Sequence, residues 1–290
     1  MTNRCREFII PGFLYTYDDR KQDREEKGNV KTLEKLKNDI KDSDMVLVGI
    51  GEEFELDWKA MEHTAPFDTW LNEIQEKEEA QWLLPYFKAY YTKIFRDEKI
   101  EKAYEVLSEL LKDKNYFLVS LCTDDILPKL SWKENRVVLP CGGYTKLQCA
   151  GCPGELIDAE TLTAQVIAEC KLHGGNLEKV KKPVCGQCSG VLSFNNIYTE
   201  NYDESGYLPM WEIYMKWLQG TLNRKVCLVE LGVGLKFPSV IRWPFEKTAF
   251  FNQKAVLYRV HSRLYQMSEE LKGKGFSIEE NPVEFLFHMD

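Results

Sequence analysis

The sequence predicts an α/β fold: a Rossmann-like parallel sheet with helices on both faces, plus an inserted small four-cysteine module. Three observations predict it. Short apolar, β-branched runs alternate with helical stretches, which is the pattern of parallel strands joined by crossover helices. Two of those runs end in Gly-x-Gly turns, Gly49–Gly51 and Gly232–Gly234. Two Cys-x-x-Cys pairs stand 32 residues apart in mid-chain. The expected organisation is an N-terminal arm over 1–29, a discontinuous sheet domain over 30–142 and 194–290, and an inserted module over 143–193.

The elements follow in order. Phe8–Pro11 and Phe13–Tyr17 are expected to pack as an arm across the core. Leu33, Leu36 and Ile40 recur at helical spacing in a charged stretch and predict a surface helix near 30–42. Met45–Val48 is a short apolar run before the glycine turn and reads as a buried strand. Residues 67–113 are helical in character, with Ile100, Ala103, Tyr104, Leu107, Leu110 and Leu111 on one face of a helix near 98–112. Strands are expected at Tyr116–Ser120 and Arg136–Leu139. A helix near 159–172 carries Leu162, Val166, Ile167 and Cys170. A helix near 208–222 carries Trp211, Tyr214, Met215 and Leu218. Strands at Val226–Val229 and Ala255–Val260 complete the pattern. In such sheets a ligand lies outside the carboxyl ends of the strands. Those ends carry Gly49 to Gly51, Ser120 to Asp125, Pro140 to Gly143, Glu230 to Gly234 and His261.

Composition narrows the function. The chain has 290 residues, a formal charge of −8, 44% hydrophobic and 12% aromatic residues. That apolar content excludes a disordered chain. The absence of a basic excess argues against a general nucleic-acid binder. No apolar run reaches membrane-spanning or signal-peptide length, so a cytoplasmic protein with no membrane partner is expected. Nine cysteines are too few for a disulfide scaffold, and the number is odd.

Four of the nine have a specific reading. Cys149-Ala-Gly-Cys152 and Cys185-Gly-Gln-Cys188 are two knuckles, each turning two thiolates toward one point. Together they complete a tetrahedral four-sulfur shell with no open position, hence a structural site. Zinc, one per chain, is favoured over an iron–sulfur cluster because nothing else in the sequence points to redox chemistry.

A parallel α/β domain interrupted by such a module resembles the sirtuins, NAD-dependent protein deacylases and ADP-ribosyltransferases. The resemblance is closest to the macrodomain-linked microbial branch and covers roughly 30–265. Gly49-Ile50-Gly51 stands where the family has Gly-Ala-Gly. Ser120-Leu-Cys122-Thr-Asp124 stands where it has Thr-x-Asn-x-Asp. Pro140-Cys141-Gly-Gly-Tyr144 precedes the first knuckle, where the family has its His-Gly. Glu230-Leu-Gly232-Val233-Gly234, followed by Pro238–Phe245, matches the microbial branch's distal nucleotide motif. The resemblance implies an NAD-binding domain, with Gly49, Ile50, Gly51, Ser120, Asp124, Gly232, Val233, Gly234 and His261 as cofactor-binding residues. It implies NAD or ADP-ribose as ligand and an acceptor protein as partner.

The departures from the family bear on catalysis. The family's asparagine and general-base histidine are replaced by Cys122 and Cys141, which with Asp124 are the candidate catalytic residues. A thiol offers neither the donors of an amide nor a base poised near neutrality. Three readings of the thiols stand: small buried hydrophobes, a facing redox-sensitive pair, or a single thiolate nucleophile beside Asp124, whose charge would oppose the thiolate. After Gly51 the sequence runs Glu52-Glu-Phe-Glu55, toward the cofactor's own anionic phosphates. Like charges about 4 Å apart cost about 4 kcal/mol at an effective dielectric near 20. The glutamates are otherwise an ordinary solvated charge run. Classical deacetylation is therefore not expected. Protein deacylation or ADP-ribosyl transfer remains the family-level activity. A catalytically inactive relative that binds NAD, ADP-ribose or a partner is the first alternative, and an NAD glycohydrolase the second.

Overall fold

The structure, a computed structural model, describes residues 7–10, 13–16, 19–75, 77–133, 135–152, 155–174 and 176–289, with side chains from residue 31 onward. The chain divides into two compact units at residue 42. The first holds an antiparallel hairpin of β1 (Glu7–Ile10) and β2 (Phe13–Thr16), followed by α1 (Asp19–Asp42). The expected packing of the arm lies outside the described residues. Helix α1 begins eleven residues before the expected start at 30. Its first half is a run of Asp, Arg, Lys, Gln and Glu with no apolar period to detect, yet most of these residues are good helix formers.

The second unit is built on a six-stranded sheet, all of whose pairings are parallel. In chain order its strands are β3 (Met45–Ile50), β4 (Asn115–Ser120), β5 (Val137–Val138), β9 (Val226–Leu231), β10 (Ala255–Val260) and β11 (Gly275–Ile278). Their spatial order is β11-β10-β9-β3-β4-β5. All six residues of β3 and of β9 are buried. Each buried Val or Leu contributes about 1.5–3 kcal/mol, so the centre of the sheet carries more of the stability than its two-residue edge β5. That edge is shorter than the expected 136–139, because Leu139 already leads into the Pro140 turn.

The helices of this unit are α2 (Phe67–Gln75), α3 (Leu84–Ile94), α4 (Glu98–Leu111), α5 (Glu160–Leu172), α6 (Leu208–Gln219), α7 (Arg242–Phe251) and α8 (Pro282–Phe287). Helix α4 starts at Asp97, whose carboxylate accepts from the amides of Lys99 and Ile100 at 3.1 Å. One sheet face, with Leu47, Phe117, Val119, Leu228 and Leu257, packs on Tyr214 and Trp217 of α6 and Phe245 and Ala249 of α7. A second, three-stranded antiparallel sheet has the order β7-β6-β8, from β6 (Gly142–Cys149), β7 (Ile157–Asp158) and β8 (Leu192–Asn196). It holds the segment that carries the cysteine knuckles. Among the described residues no helix is long and apolar enough to cross a membrane.

The glycine after β3 has no room for a side chain. A Cβ on Gly51 would lie 2.4 Å from both the Gly232 carbonyl oxygen and Val233 Cα, which are backbone atoms and cannot swing aside. Gly51→Ala is expected to destabilise the protein by about 1–3 kcal/mol through overpacking, read as a lower urea midpoint. An unchanged midpoint would show that the two turns do not touch.

Candidate functional site

The chain leaves β3 toward β4 on one side and later returns to β9 on the other. The carboxyl ends of β3 and β9 therefore flank the topological switch point, where open α/β sheets place their ligands. Gly51 follows β3 and Gly232 follows β9. The Gly51 amide donates to Leu231 O at 2.9 Å and the Glu53 amide to Gly232 O at 3.3 Å. Gly232 has φ of +65°, which glycine adopts freely. Gly49 and Ile50 lie within β3. Gly49 faces Ile241 and Phe245, and the Ile50 carbonyl accepts from the Leu121 amide at 2.9 Å. Val233 is packed in the core and Gly234 is buried.

The acidic run forms a 3-10 turn at Glu52–Phe54. Phe54 is fully buried, with its ring 4.9 Å from that of Tyr104, and this anchors the turn at the switch point, the crevice at the carboxyl ends of β3 and β9. The carboxylates turn inward. Glu52 Oε2 accepts from the Gly234 amide at 2.8 Å. Glu53 accepts from the Ser262 amide at 3.0 Å and from the Ser262 hydroxyl. Glu55 Oε1 accepts from the Thr123 amide at 2.9 Å and its hydroxyl at 2.5 Å. Backbone amides at strand ends and glycine turns are the usual donors to a phosphate. Here donors at the ends of β9, β10 and β4 are taken by the chain's own anions.

Two aspartates follow β4. Asp124 is buried and accepts from the amides of Leu56 at 2.9 Å and Ile126 at 3.1 Å. It ties the acidic turn to the end of β4. Burial pushes its carboxyl up to about 7, against the pull of those two amides. Asp125, which sequence reasoning passed over, is also buried and accepts from the Tyr144 amide at 2.6 Å. It fastens β6 to the sheet domain, and burial pushes it up to about 6. Its φ of 56° is a conformation that Asp tolerates better than most residues. The Asp-Asp pair at a strand end was the signal available for it.

Ser120 Oγ accepts from the Cys122 amide at 3.1 Å, and Cys122 Sγ donates to Gly51 O at 3.3 Å. Burial pushes the Cys122 thiol well above its ordinary value, and the nearby Asp124 charge adds to this. Cys141 packs in the core beside residues such as Leu121, Val138 and Val233, and burial pushes it up to about 12. Both thiols are therefore protonated near neutrality, and neither is in a disulfide. Their hydrogen-bond and charge partners do not include each other. His261 follows β10, and its Nδ1 accepts from the amides of Arg263 and Leu264 at 3.1 and 3.2 Å. This places the ring proton on Nε2. Burial lowers its pKa, so the 3.2 Å approach of Glu53 to Nδ1 is not an ion pair.

Behind the crevice lies a buried ion pair. Glu230 in β9 stands directly opposite Arg259 in β10. Arg259 donates to both carboxylate oxygens, Nε at 2.5 Å and Nη2 at 3.1 Å, and Nη2 also reaches Glu246 at 2.7 Å. Burial alone would protonate Glu230. The pKa of Glu230 stays above its ordinary value, with the two-pronged Arg259 contact and the Arg242 charge 3.9 Å away working against the burial.

The four knuckle cysteines converge. Their sulfurs all lie within 4.8 Å of one another, with Cys149–Cys188 at 3.4 Å and Cys152–Cys185 at 3.6 Å. A tetrahedral four-sulfur site with bonds of about 2.3 Å has edges of about 3.8 Å, so the cluster fits one metal ion. The amides of Gly151 and Gly190 point at Cys149 Sγ and Cys188 Sγ at 3.4 Å, and the amides of Cys188 and Gln187 pull the Cys185 thiol down to about 6. Backbone donors thus favour the thiolate at Cys149 and Cys185, while the neighbouring thiols push Cys152 and Cys188 up.

No family model matches the chain. A protein ADP-ribosyltransferase of Staphylococcus aureus is 19% identical over 190 residues, 64% of this chain and 60% of that protein. A probable bifunctional ADP-ribose hydrolase/ADP-ribosyltransferase of Fusarium oxysporum is 26% identical over 153 residues, 49% of this chain and 25% of that protein. The match thus spans less than two thirds of either relative. Among solved structures, Sir2Tm bound to a propionylated peptide superposes with a TM-score of 0.52 at 11% identity, over 88% of this chain and 96% of that one. Sir2 bound to an acetylated peptide gives 0.52 at 13% identity, over the same shares. The chain has the Sir2 fold, and its sequence resembles microbial proteins named for ADP-ribosyl transfer.

Two outcomes are expected. The folded pKa of Asp124 lies above the unfolded value of about 3.9, so the folded protein holds the extra proton between about pH 4 and pH 7. This contribution to stability falls as pH rises through that window. Asp124→Asn is expected to remove a fall on the order of 1–3 kcal/mol, read as the difference between urea unfolding curves of variant and parent across that range. Parallel pH profiles would show an already ionised Asp124. The parent protein is also expected to carry one metal ion per chain by elemental analysis. Cys185→Ser should lose both the metal and the amide-exchange protection of β6 and β8; full protection in a metal-free protein would rule out a structural metal.

Proposed function

We propose that this is a zinc-containing, sirtuin-like protein whose site is directed at NAD or ADP-ribose. ADP-ribosyl transfer to an acceptor protein is its activity class, and classical lysine deacylation is not. The observation that carries the reading is the pair of glycine turns touching at the β3/β9 switch point, with amide donors at three strand ends gathered there on the carboxylates of Glu52, Glu53 and Glu55. The names of the two microbial relatives support the transfer class. Against deacylation stands Cys141, a buried thiol with a pKa near 12 where a base working near neutrality is needed. Zinc is the metal that best suits four thiolates in a tetrahedron without redox partners.

In this reading Gly51 and Gly232 to Gly234 form the floor of the dinucleotide site, and Ser120, Asp124 and His261 form its rim. Glu52 and Glu53 hold the donors that a diphosphate would take, so the ligand binds only as the 52–55 turn gives way. A second reading is favoured by the same carboxylates together with the two protonated thiols: a binding module that takes ADP-ribose without turnover. The glycohydrolase reading would use Glu55 to activate water, but that carboxylate is engaged by Thr123.

Calorimetric titration with NAD and with ADP-ribose, with free nicotinamide measured in parallel, separates these readings. The double variant Glu52→Ala/Glu53→Ala is expected to bind both ligands about tenfold more tightly than the parent. Nicotinamide release that depends on an acceptor protein selects transfer, binding without release selects the binding module, and release without an acceptor selects the glycohydrolase. Failure of both proteins to bind either ligand would overturn the proposal.

A further inference from the structure

A second charged constellation stands beside the glycine turns, where the charge of Lys236 acts on Cys141 and that of Glu55 on Lys88. Lys88 on α3 is half-buried, and its ammonium lies 4.8 Å from the ring centre of Trp58 and 5.8 Å from that of Tyr198. Lys236, two residues past Gly234, is exposed. It lies 4.6 Å from the Tyr198 ring centre and 5.3 Å from that of Phe237, and donates to the Tyr198 hydroxyl at 3.2 Å. Tyr144 on β6 closes the cluster, edge-on to Trp58 at 5.7 Å. Five chain segments thus place two ammonium groups against one tyrosine ring.

Neither ammonium has a carboxylate within ion-pair distance among the described residues. Glu55 is close enough to act on Lys88 through its charge, but both of its hydrogen bonds go to Thr123. Burial and the charge of Lys236 both work against the ionised form of Lys88. Ring faces offset part of that cost, at about 0.5–1 kcal/mol for each contact. A half-buried lysine next to a second lysine, with aromatic walls and only the indirect charge of Glu55 to offset it, has no anion in direct contact.

We propose that Lys88 and Lys236, both set against the Tyr198 side chain, form an anion-binding site that takes a phosphate or carboxylate group of a ligand. The two ammonium groups and the hydroxyl supply donors from two sides, and Trp58, Tyr144 and Phe237 give the rest of the ligand an apolar wall. The site uses none of the amides held by Glu52 and Glu53, so it does not depend on the dinucleotide reading.

The test is titration of the metal-loaded full chain with inorganic phosphate and, separately, with succinate, at constant ionic strength in chloride. Intrinsic tryptophan fluorescence is the readout, with Trp58→Phe identifying the responding indole. A saturable response is expected, about tenfold weaker in Lys88→Met and Lys236→Met and largely retained in Lys236→Arg. Saturation by phosphate alone would assign a phosphoryl ligand, and by succinate alone a carboxylate. Lys236 is exposed, so its variant keeps the test valid if Lys88→Met fails to fold. A response no greater than that to chloride, or one unchanged in Lys236→Met, would overturn the proposal. So would a response governed by Glu52→Ala/Glu53→Ala instead of by the lysines.

Discussion

Gly51 and Gly232 bring the two central strands' exit turns into backbone contact, and the rest of the site follows from that approach. With no Cβ on Gly51, the carbonyl of Gly232 and the Cα of Val233 sit where a side chain would be. This sets the 3-10 turn at Glu52–Phe54 directly over the end of β9. A glutamate in that turn is then within reach of the Gly234 amide, and its neighbour within reach of Ser262. Asp124 locks the far side of the turn through Leu56. A larger residue at 51 would part the two turns and separate each carboxylate from its donor, so close packing and the electrostatics of the crevice are a single constraint.

The features most legible in the sequence were those that rest on local spacing. Strands β3, β4, β9 and β10 are short apolar runs, and the knuckles are pairs of cysteines two residues apart. What escaped detection depends on long-range partners. Strands β6 and β8 are rich in Gly, Thr, Lys, Gln and Asn, and the Leu192-Ser-Phe194 alternation of β8 is too short to stand out; their antiparallel pairing supplies what the local pattern lacks. Strand β11 is a weak signal completed by its neighbour β10. The Glu52–Glu55 run is conspicuous in sequence, but its inward turn is set by Phe54, whose burial against Tyr104 drags the flanking glutamates toward the crevice. Asp125 was missed because its partner, the Tyr144 amide, is a backbone group.

The two substituted positions illustrate how burial decides chemistry. Cys122 and Cys141 fall where the family resemblance places an amide and an imidazole, both of which work as polar groups. Enclosed as these thiols are, the charged form is penalised and they remain weak donors. Cys122 uses its proton on Gly51 O, reinforcing the same glycine contact. A thiolate nucleophile there would have to form beside Asp124 while losing that bond, so two electrostatic costs oppose it. Group transfer that needs no strong base is compatible with such surroundings, whereas a step requiring proton abstraction by residue 141 is not.

Charge is also sorted in space. Glu52, Glu53 and Glu55 take amide and hydroxyl donors at three strand ends, so much of their negative charge is met by fixed dipoles. Lys88 and Lys236 stand on the aromatic wall beside Tyr198 without an anion of their own. Had the glutamates paired with the lysines, both sets would have been neutralised and the glycine-turn amides left bare for a phosphate. The observed arrangement leaves the reverse: satisfied amides and unpaired ammonium groups. An anion is therefore attracted by the lysines and repelled by the carboxylates at the glycine turns. A phosphate reaches the crevice only if it displaces a carboxylate that already makes the same bonds without the translational cost of binding.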